Sequence, residues 1–411
     1  MKRIGETIMI ETWRWFGPQD LVSISDVAQT GATGVVSALH HIPTGDVWEL
    51  DEIRKRQREV ATMPDGSPSG LEWNVVESLP VSEDIKKRSG EWRAHVSNYC
   101  QSMANLAEAG IYIICYNFMP ILDWTRTDLS WRLKNGATCM RFDIIDFAAF
   151  DIHILKRAHA EKDYDAKLRQ SAARRFQEMS EQDRKQLTEN IVCGLPGAAE
   201  KFSLDDVRAH LNEYSDIPEK RLRSNLVRFL AEVAPVAQDL GIRLCCHPDD
   251  PPFSLLGLPR IMSTEEDYRI VMEEVDIPAN GITLCSGSLG ARPDNDLVGM
   301  MQRLGDRVHF MHSRNVKRET ADVRGSFHES EHLRGDTNMV LLIGAALQEE
   351  ARRRDEGRED WSIPFRPDHG QDILDDLGRK AQPGYPSIGR LKGLAELRGI
   401  IAALEPRTEM H

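Results

Sequence analysis

The chain has 411 residues, with 52 Lys and Arg against 65 Asp and Glu, a formal net charge of −13. That acidic balance argues against nucleic acid or an anionic membrane surface as partner, while a small anion in a local basic pocket stays compatible with it. No apolar run reaches the length of a membrane span. The length is ample for one large core or for several ordinary domains. The seven cysteines are scattered without a C-x-x-C pair, the pattern of free thiols in a reducing cytoplasm. The opening "MKRIGETIMIETWRWFGP" does not read as a secretory signal, because Glu6 and Glu11 interrupt its apolar residues. A cytoplasmic protein is expected.

In chain order, eight short runs read as strands. They are "ETWRWF" near Thr12, "TGVVSALHH" from Thr33, "LEWNVVES" from Leu71, "IYIICYNF" from Ile111, "IRLCCHP" from Ile242, "GITLCSGS" from Gly281, "VHFMHSRN" from Val308 and "SIPFRPDHG" from Ser362. Helical patterns separate them. Gly110, Gly241 and Gly357 stand where helices preceding the fourth, fifth and eighth strands should stop. Strands alternating with helices predict an α/β fold, a TIM (β/α)8 barrel occupying 1–411 as one catalytic domain. A doubly wound sheet would show a glycine-rich phosphate turn, and neither G-x-G-x-x-G nor a P-loop is present. From about 120 to 220 the chain is long, charged and mostly helical in pattern, with Ser203 as a helix cap. It reads as an insertion after the fourth strand; a separate small helical domain is the rival.

In this barrel class, reactive groups stand at the C-terminal ends of the strands. The second candidate strand ends at His40 and His41, the third at Glu77 and the fourth at Asn117. The next four offer His247, Cys285, His312 and Asp368, followed by His369. Two neutral imidazoles, a thiolate and a carboxylate carry charge −2 and would neutralise a divalent metal. Alternation puts His247 and Cys245 on one face with Cys246 on the other, and puts Arg314 on the face of His312. Pro367 and Gly370 end the strand, so Asp368 and His369 are expected to face the mouth together. Arg14, Asn117, Arg126 and Arg314 are candidate substrate contacts; Arg14 could bind an anionic group or equally pair with a rim carboxylate, and Arg314 could reach the same cavity. Asp123, Arg126 and Asp128 read either as a covering loop or as a paired surface turn. His328 and His332, in "GSFHESEHLRGD", are spaced for one helix face.

The stretches "TWRWFGP", "GATGVVSALHHIP", "CYNFMPILDWTRTDL", "HPDDPPFSLLGLPRI", "CSGSLGARPDND", "RPDHG" and "GYPSIGRLKGLAE" together resemble the mannonate dehydratase family over nearly the whole chain. The resemblance implies a barrel that dehydrates D-mannonate to 2-keto-3-deoxy-D-gluconate in glucuronate breakdown. It implies Mn2+ or Fe2+ held by residues matching His247, Cys285, His312 and Asp368, and proton transfer by residues matching His369 and Tyr385. "MHSRN" stands where the family has a His-Leu-Arg type of stretch, yet His312 and Arg314 are kept. The partner implied is a small sugar acid, with no nucleic acid and no membrane; a homo-oligomer is left open. A metal-dependent sugar isomerase or epimerase on the same barrel is the rival, separated from the dehydratase by its product.

Overall fold

The computed structural model describes residues 8–192 and 203–405. Twelve strands occur among them: β1 Thr12–Arg14, β2 Gly34–Ser37, β3 Glu72–Glu77, β4 Ile113–Tyr116, β5 Asp128–Arg132, β6 Thr138–Phe142, β7 Arg243–Cys246, β8 Asn280–Cys285, β9 Val308–His312, β10 Val316–Arg318, β11 Phe327–Glu329 and β12 Phe365–Arg366. Eight form a parallel sheet in the order β1-β2-β3-β4-β7-β8-β9-β12. A parallel bridge from Glu11 to Phe365 closes it, with the Phe365 amide donating to Ile10 at 2.9 Å and the Thr12 hydroxyl to the Phe365 carbonyl at 2.7 Å. The result is the expected TIM barrel, and each of the eight candidate runs supplies one barrel strand.

Strand alternation sorts the side chains. Val36, Val75, Cys115, Cys245 and Phe310 pack together inside the barrel, while Cys246 joins the outer core under the helices. Cys245 therefore lies beneath the mouth, one alternation step below His247, as the period of two requires. The helices Trp92–Glu108, Glu219–Asp239 and Met339–Asp355 stop just before Gly110, Gly241 and Gly357, each of which has φ between +71° and +83°. Only glycine adopts that left-handed conformation without strain. Ser203 caps the helix Leu204–Glu213 by accepting from the Asp206 amide.

The stretch from about 120 to 220 differs from its expected, mostly helical form. Its helices are present, among them Ala166–Glu178 and Glu181–Val192, but it opens with the antiparallel pair β5 and β6. These join β10 and β11 in a second, antiparallel sheet of order β10-β11-β6-β5. The segment expected to place His328 and His332 on a helix face is thus a strand and turn: His328 pairs with Arg141 across the sheet, and His332 is buried, with Nε2 2.7 Å from the Pro367 carbonyl. Strand pairing across nearly two hundred residues overrode the local spacing. Thr138 and Asp372 exchange backbone hydrogen bonds of 3.1 and 2.8 Å, tying this sheet to the loop that follows β12.

That loop also rests on the last helix, Ser387–Leu404. A Cβ on Gly370 would lie 2.6 Å from the Arg390 amide nitrogen, and one on Gly389 would lie 1.9 Å from the Gln371 carbonyl oxygen. Both obstacles are backbone and cannot swing aside. Gly389→Ala should push the helix off the loop, lower the melting temperature through an overpacking cost of about 1–3 kcal/mol, and reduce turnover with it. A variant with unchanged melting curve and unchanged kcat would show that this close approach is dispensable.

Candidate active site

Parallel pairing sets the strand ends level. Cys285 pairs with His312, and His312 with Arg366, so Asp368 stands just past the same rim. His247 follows β7 and is held by its amide donating to the Tyr116 carbonyl at 2.9 Å. The donor atoms of His247, Cys285 and His312 all lie within 4.8 Å of one another. Asp368 approaches from the other side, with Oδ2 3.9 Å from Cys285 Sγ and 3.8 Å from His312 Nδ1.

This donor set fits a cation on its own geometry. His247 Nδ1 lies 2.7 Å from the Pro248 carbonyl, and His312 Nε2 lies 3.4 Å from a Glu77 carboxylate oxygen. Acceptors at those outer nitrogens draw the ring hydrogens to them, as partners of metal-binding histidines do. The inner nitrogens, His247 Nε2 and His312 Nδ1, then face each other at 3.2 Å with lone pairs. Two such lone pairs repel unless a cation lies between them. Burial lowers the proton affinity of His247, so the neutral, ligating ring is favoured.

A frame of arginines and carboxylates surrounds the cluster. Arg366 reaches Asp368 Oδ1 at 2.5 Å and Glu77 Oε1 at 2.8 Å. Burial opposes charge on both acids, but Arg366 leads the neighbouring positive groups that together outweigh it, and both carboxyls are held well below the usual range. Asp250 is held low in the same way, against its own burial, by Arg126 at 2.8 Å and Arg314 at 2.9 Å. Gly287 makes room for Arg314: a Cβ there would fall 1.8 Å from its Nε.

Asp368 has φ +63°, a left-handed conformation that aspartate tolerates better than most residues, and there the chain turns. Both Asp368 and His369 consequently face the mouth, with His369 Nε2 3.6 Å from Asp368 Oδ1. The Tyr385 ring stands edge-on to His369 at 5.0 Å between centroids. Gly384, at φ +80°, permits this; a side chain there would strike Met140 at 2.3 Å and crowd the His369 ring at 3.2 Å. Burial pushes the Tyr385 phenol up to about 12, so it carries its proton throughout the neutral range.

Of the candidate substrate contacts, Arg314 and Arg14 belong to the mouth. Arg314 Nη1 is 3.6 Å from Asp368 Oδ2, and Arg14 Nη1 is 3.9 Å from Glu77 and makes no hydrogen bond among the described residues. Asn117 is buried, donating to the Ser78 hydroxyl at 3.1 Å. Arg126 differs from the expectation. It is fully enclosed, with its Nη atoms bound to Asp250, to Glu329 at 3.0 Å and to the Thr125 carbonyl, so it is no surface turn. β2 ends at Ser37, short of the expected His40 and His41. His41 is exposed beside Glu52 at 2.9 Å; His40 is pushed down to about 3 by burial and then by Arg14 and Arg56. Asp250, Glu329 and Arg366 were not singled out from the sequence. Arg366 precedes Asp368 by one full alternation on β12, a signal that was available; Glu329 comes from a sheet that no local pattern announces.

The D-mannonate dehydratase (UxuA) family model matches residues 9–411. The mannonate dehydratase of Rhizobium meliloti (strain 1021) is 60% identical over 400 residues, 97% of this chain and 98% of its own. That of Saccharophagus degradans is 48% identical over 404 residues, 98% of this chain and 100% of its own. The crystal structure of mannonate dehydratase from Streptococcus suis serotype 2 superposes with a TM-score of 0.73 at 30% identity, covering 97% of this chain and 94% of that one.

Replacing Cys285 with Ala removes the only sulfur donor of the cluster. Elemental analysis of the purified variant should show bound metal well below the wild-type ratio, with activity falling in step. A variant that keeps a full complement of metal would take Cys285 out of the coordination shell.

Proposed function

This chain belongs to the D-mannonate dehydratase family and dehydrates D-mannonate to 2-keto-3-deoxy-D-gluconate and water, and we propose that His247, Cys285, His312 and Asp368 hold the Mn2+ or Fe2+ ion on which that hydro-lyase reaction depends. The reading is carried by one observation: three inward donors within 4.8 Å of one another, with Asp368 beside them and His369 and Tyr385 at the same mouth. Such a reaction belongs to glucuronate catabolism, and no described helix is long and apolar enough to cross a membrane.

Dehydration takes the proton from C2, beside the carboxylate, and the hydroxyl from C3. The C2 acid is weak because its conjugate is a doubly charged enediolate; a bound divalent ion acts as a Lewis acid that stabilises such charge by several kcal/mol. The chain's own residues do the rest. Arg14, whose Nη1 makes no hydrogen bond among the described residues, is placed to grip the substrate carboxylate. His369 takes the C2 proton, since histidine is the side chain suited to accept one near neutrality. Tyr385, kept protonated by burial, donates to the departing C3 hydroxyl, which leaves as water. The resulting enol becomes the keto acid by moving a proton to C3, with no further cofactor.

The direct test incubates metal-free protein with Mn2+, Fe2+ or Zn2+ separately, adds D-mannonate, and follows the products by NMR. Appearance of 2-keto-3-deoxy-D-gluconate with Mn2+ or Fe2+ supports the reading; an epimeric aldonate in its place contradicts it. His369→Ala and Tyr385→Phe should each keep their metal and lose about 10²–10⁴-fold in kcat, the usual contribution of a placed acid or base. Near-full turnover in either would strip that residue of its role.

A further inference from the structure

Glu329 ends β11 and sits over the mouth with its carboxylate enclosed. Arg126 Nη2 lies 3.0 Å away, Arg314 Nε 3.4 Å away, and His369 Nδ1 3.2 Å away. The roles assigned above leave this acid unused. Burial opposes its charge, but Arg314 leads the groups that outweigh this and hold it at about 2, so it stands as a carboxylate, an acceptor only.

His369 Nδ1 is also 3.2 Å from Arg314 Nη1, which can only donate. The two contacts make opposite demands on the ring. Arg314 has a carboxylate near each nitrogen, Asp250 2.9 Å from Nη2, Glu329 3.4 Å from Nε and Asp368 3.6 Å from Nη1, so its charge is balanced without the imidazole. Glu329 Oε1 facing a lone pair at 3.2 Å, in a buried region, would be repulsive; facing an N–H it makes a charge-assisted hydrogen bond. The hydrogen therefore belongs on Nδ1. Nε2 keeps the lone pair, and its neighbour Asp368 Oδ1, 3.6 Å away, is already paired with Arg366.

We propose that Glu329 is a positioning residue for His369: it fixes the ring's tautomer and orientation so that Nε2 accepts the C2 proton. This rests on the acid–base reading of His369 given above. In the step, the C2–H bond breaks, its electron pair passes into the enediolate, and the proton binds Nε2. The Nδ1 hydrogen stays between the ring and Glu329, whose negative charge offsets that of the imidazolium. The second sheet thereby supplies a working part of the site.

The test is a double-mutant cycle on the metal-loaded full chain under single-turnover conditions, with Glu329→Gln, His369→Ala and both together. Glu329→Gln should lose about 10–100-fold in kcat, the usual effect of removing such a support, with KM, melting temperature and metal content near wild type. Glu329→Asp, which keeps the charge, should recover part of the loss. In the His369→Ala background the Gln substitution should cost little more, because the group it serves is gone. Losses that multiply in the double variant, or an unaffected Glu329→Gln, would overturn the proposal while leaving His369 as base. A merely structural role predicts lower melting temperature and metal content with normal kcat per bound metal, and that result also overturns it. If Glu329→Gln fails to fold, the cycle is run with Glu329→Asp: a partial loss of kcat that shrinks in the His369→Ala background supports the proposal, and no loss, or losses that multiply, overturn it. Full turnover in His369→Ala alone is a separate result, which sinks the acid–base reading itself.

Discussion

Arg366 lies between Glu77 and Asp368 and touches both, while Arg126 and Arg314 flank Asp250 and Glu329, and Arg14 faces Glu77. Three buried carboxylates and the largely enclosed Glu77 are thus matched by four buried arginines around the mouth. Each such ion costs on the order of several kcal/mol to take out of water, and only pairing of this kind repays it. Without the arginines the acids would bind protons instead. Asp368 would then lose its capacity to act as an anionic ligand, and Glu77 would cease to draw the outer hydrogen of His312. The inward lone pairs of His247 and His312, the ionised Asp368 and the orientation of His369 all follow from this pairing.

The pairing in turn depends on close backbone contacts. Gly287 clears the path of Arg314, Gly384 lets Tyr385 stand against His369, and Gly370 and Gly389 allow the loop after β12 to lie on the last helix. The loop is gripped from the other side by the second sheet through Thr138 and Asp372. Asp368 and His369 are therefore held between two elements, which suits groups whose placement must be fixed before substrate arrives.

Much of the barrel was legible in the sequence because each strand writes a short apolar, β-branched run and each long helix a stop at glycine. His247, Cys285, His312 and Asp368 were legible for a related reason: parallel strands of one barrel bring their ends to one rim, so position along a strand becomes position in space. What escaped depends on contacts between distant segments. β5 and β6 lie within a charged, largely helical stretch, and their partners β10 and β11 are short and nearly two hundred residues away. Glu329 acquires its meaning only when that sheet forms, and Arg126 reads as a loop residue until Asp250 and Glu329 enclose it. His40 and His41 lie beyond Ser37, a strand boundary that apolar residues such as Leu39 conceal.

The central claim is that residues from four consecutive barrel strands converge on one ion through nitrogen, oxygen and a single sulfur. X-ray absorption at the metal edge of the Mn2+- or Fe2+-loaded protein tests it most directly. The account predicts a shell of nitrogen and oxygen neighbours with one sulfur at a distinctly longer distance, and imidazole scattering from two rings. A shell of oxygen and nitrogen alone, with no sulfur, would contradict it.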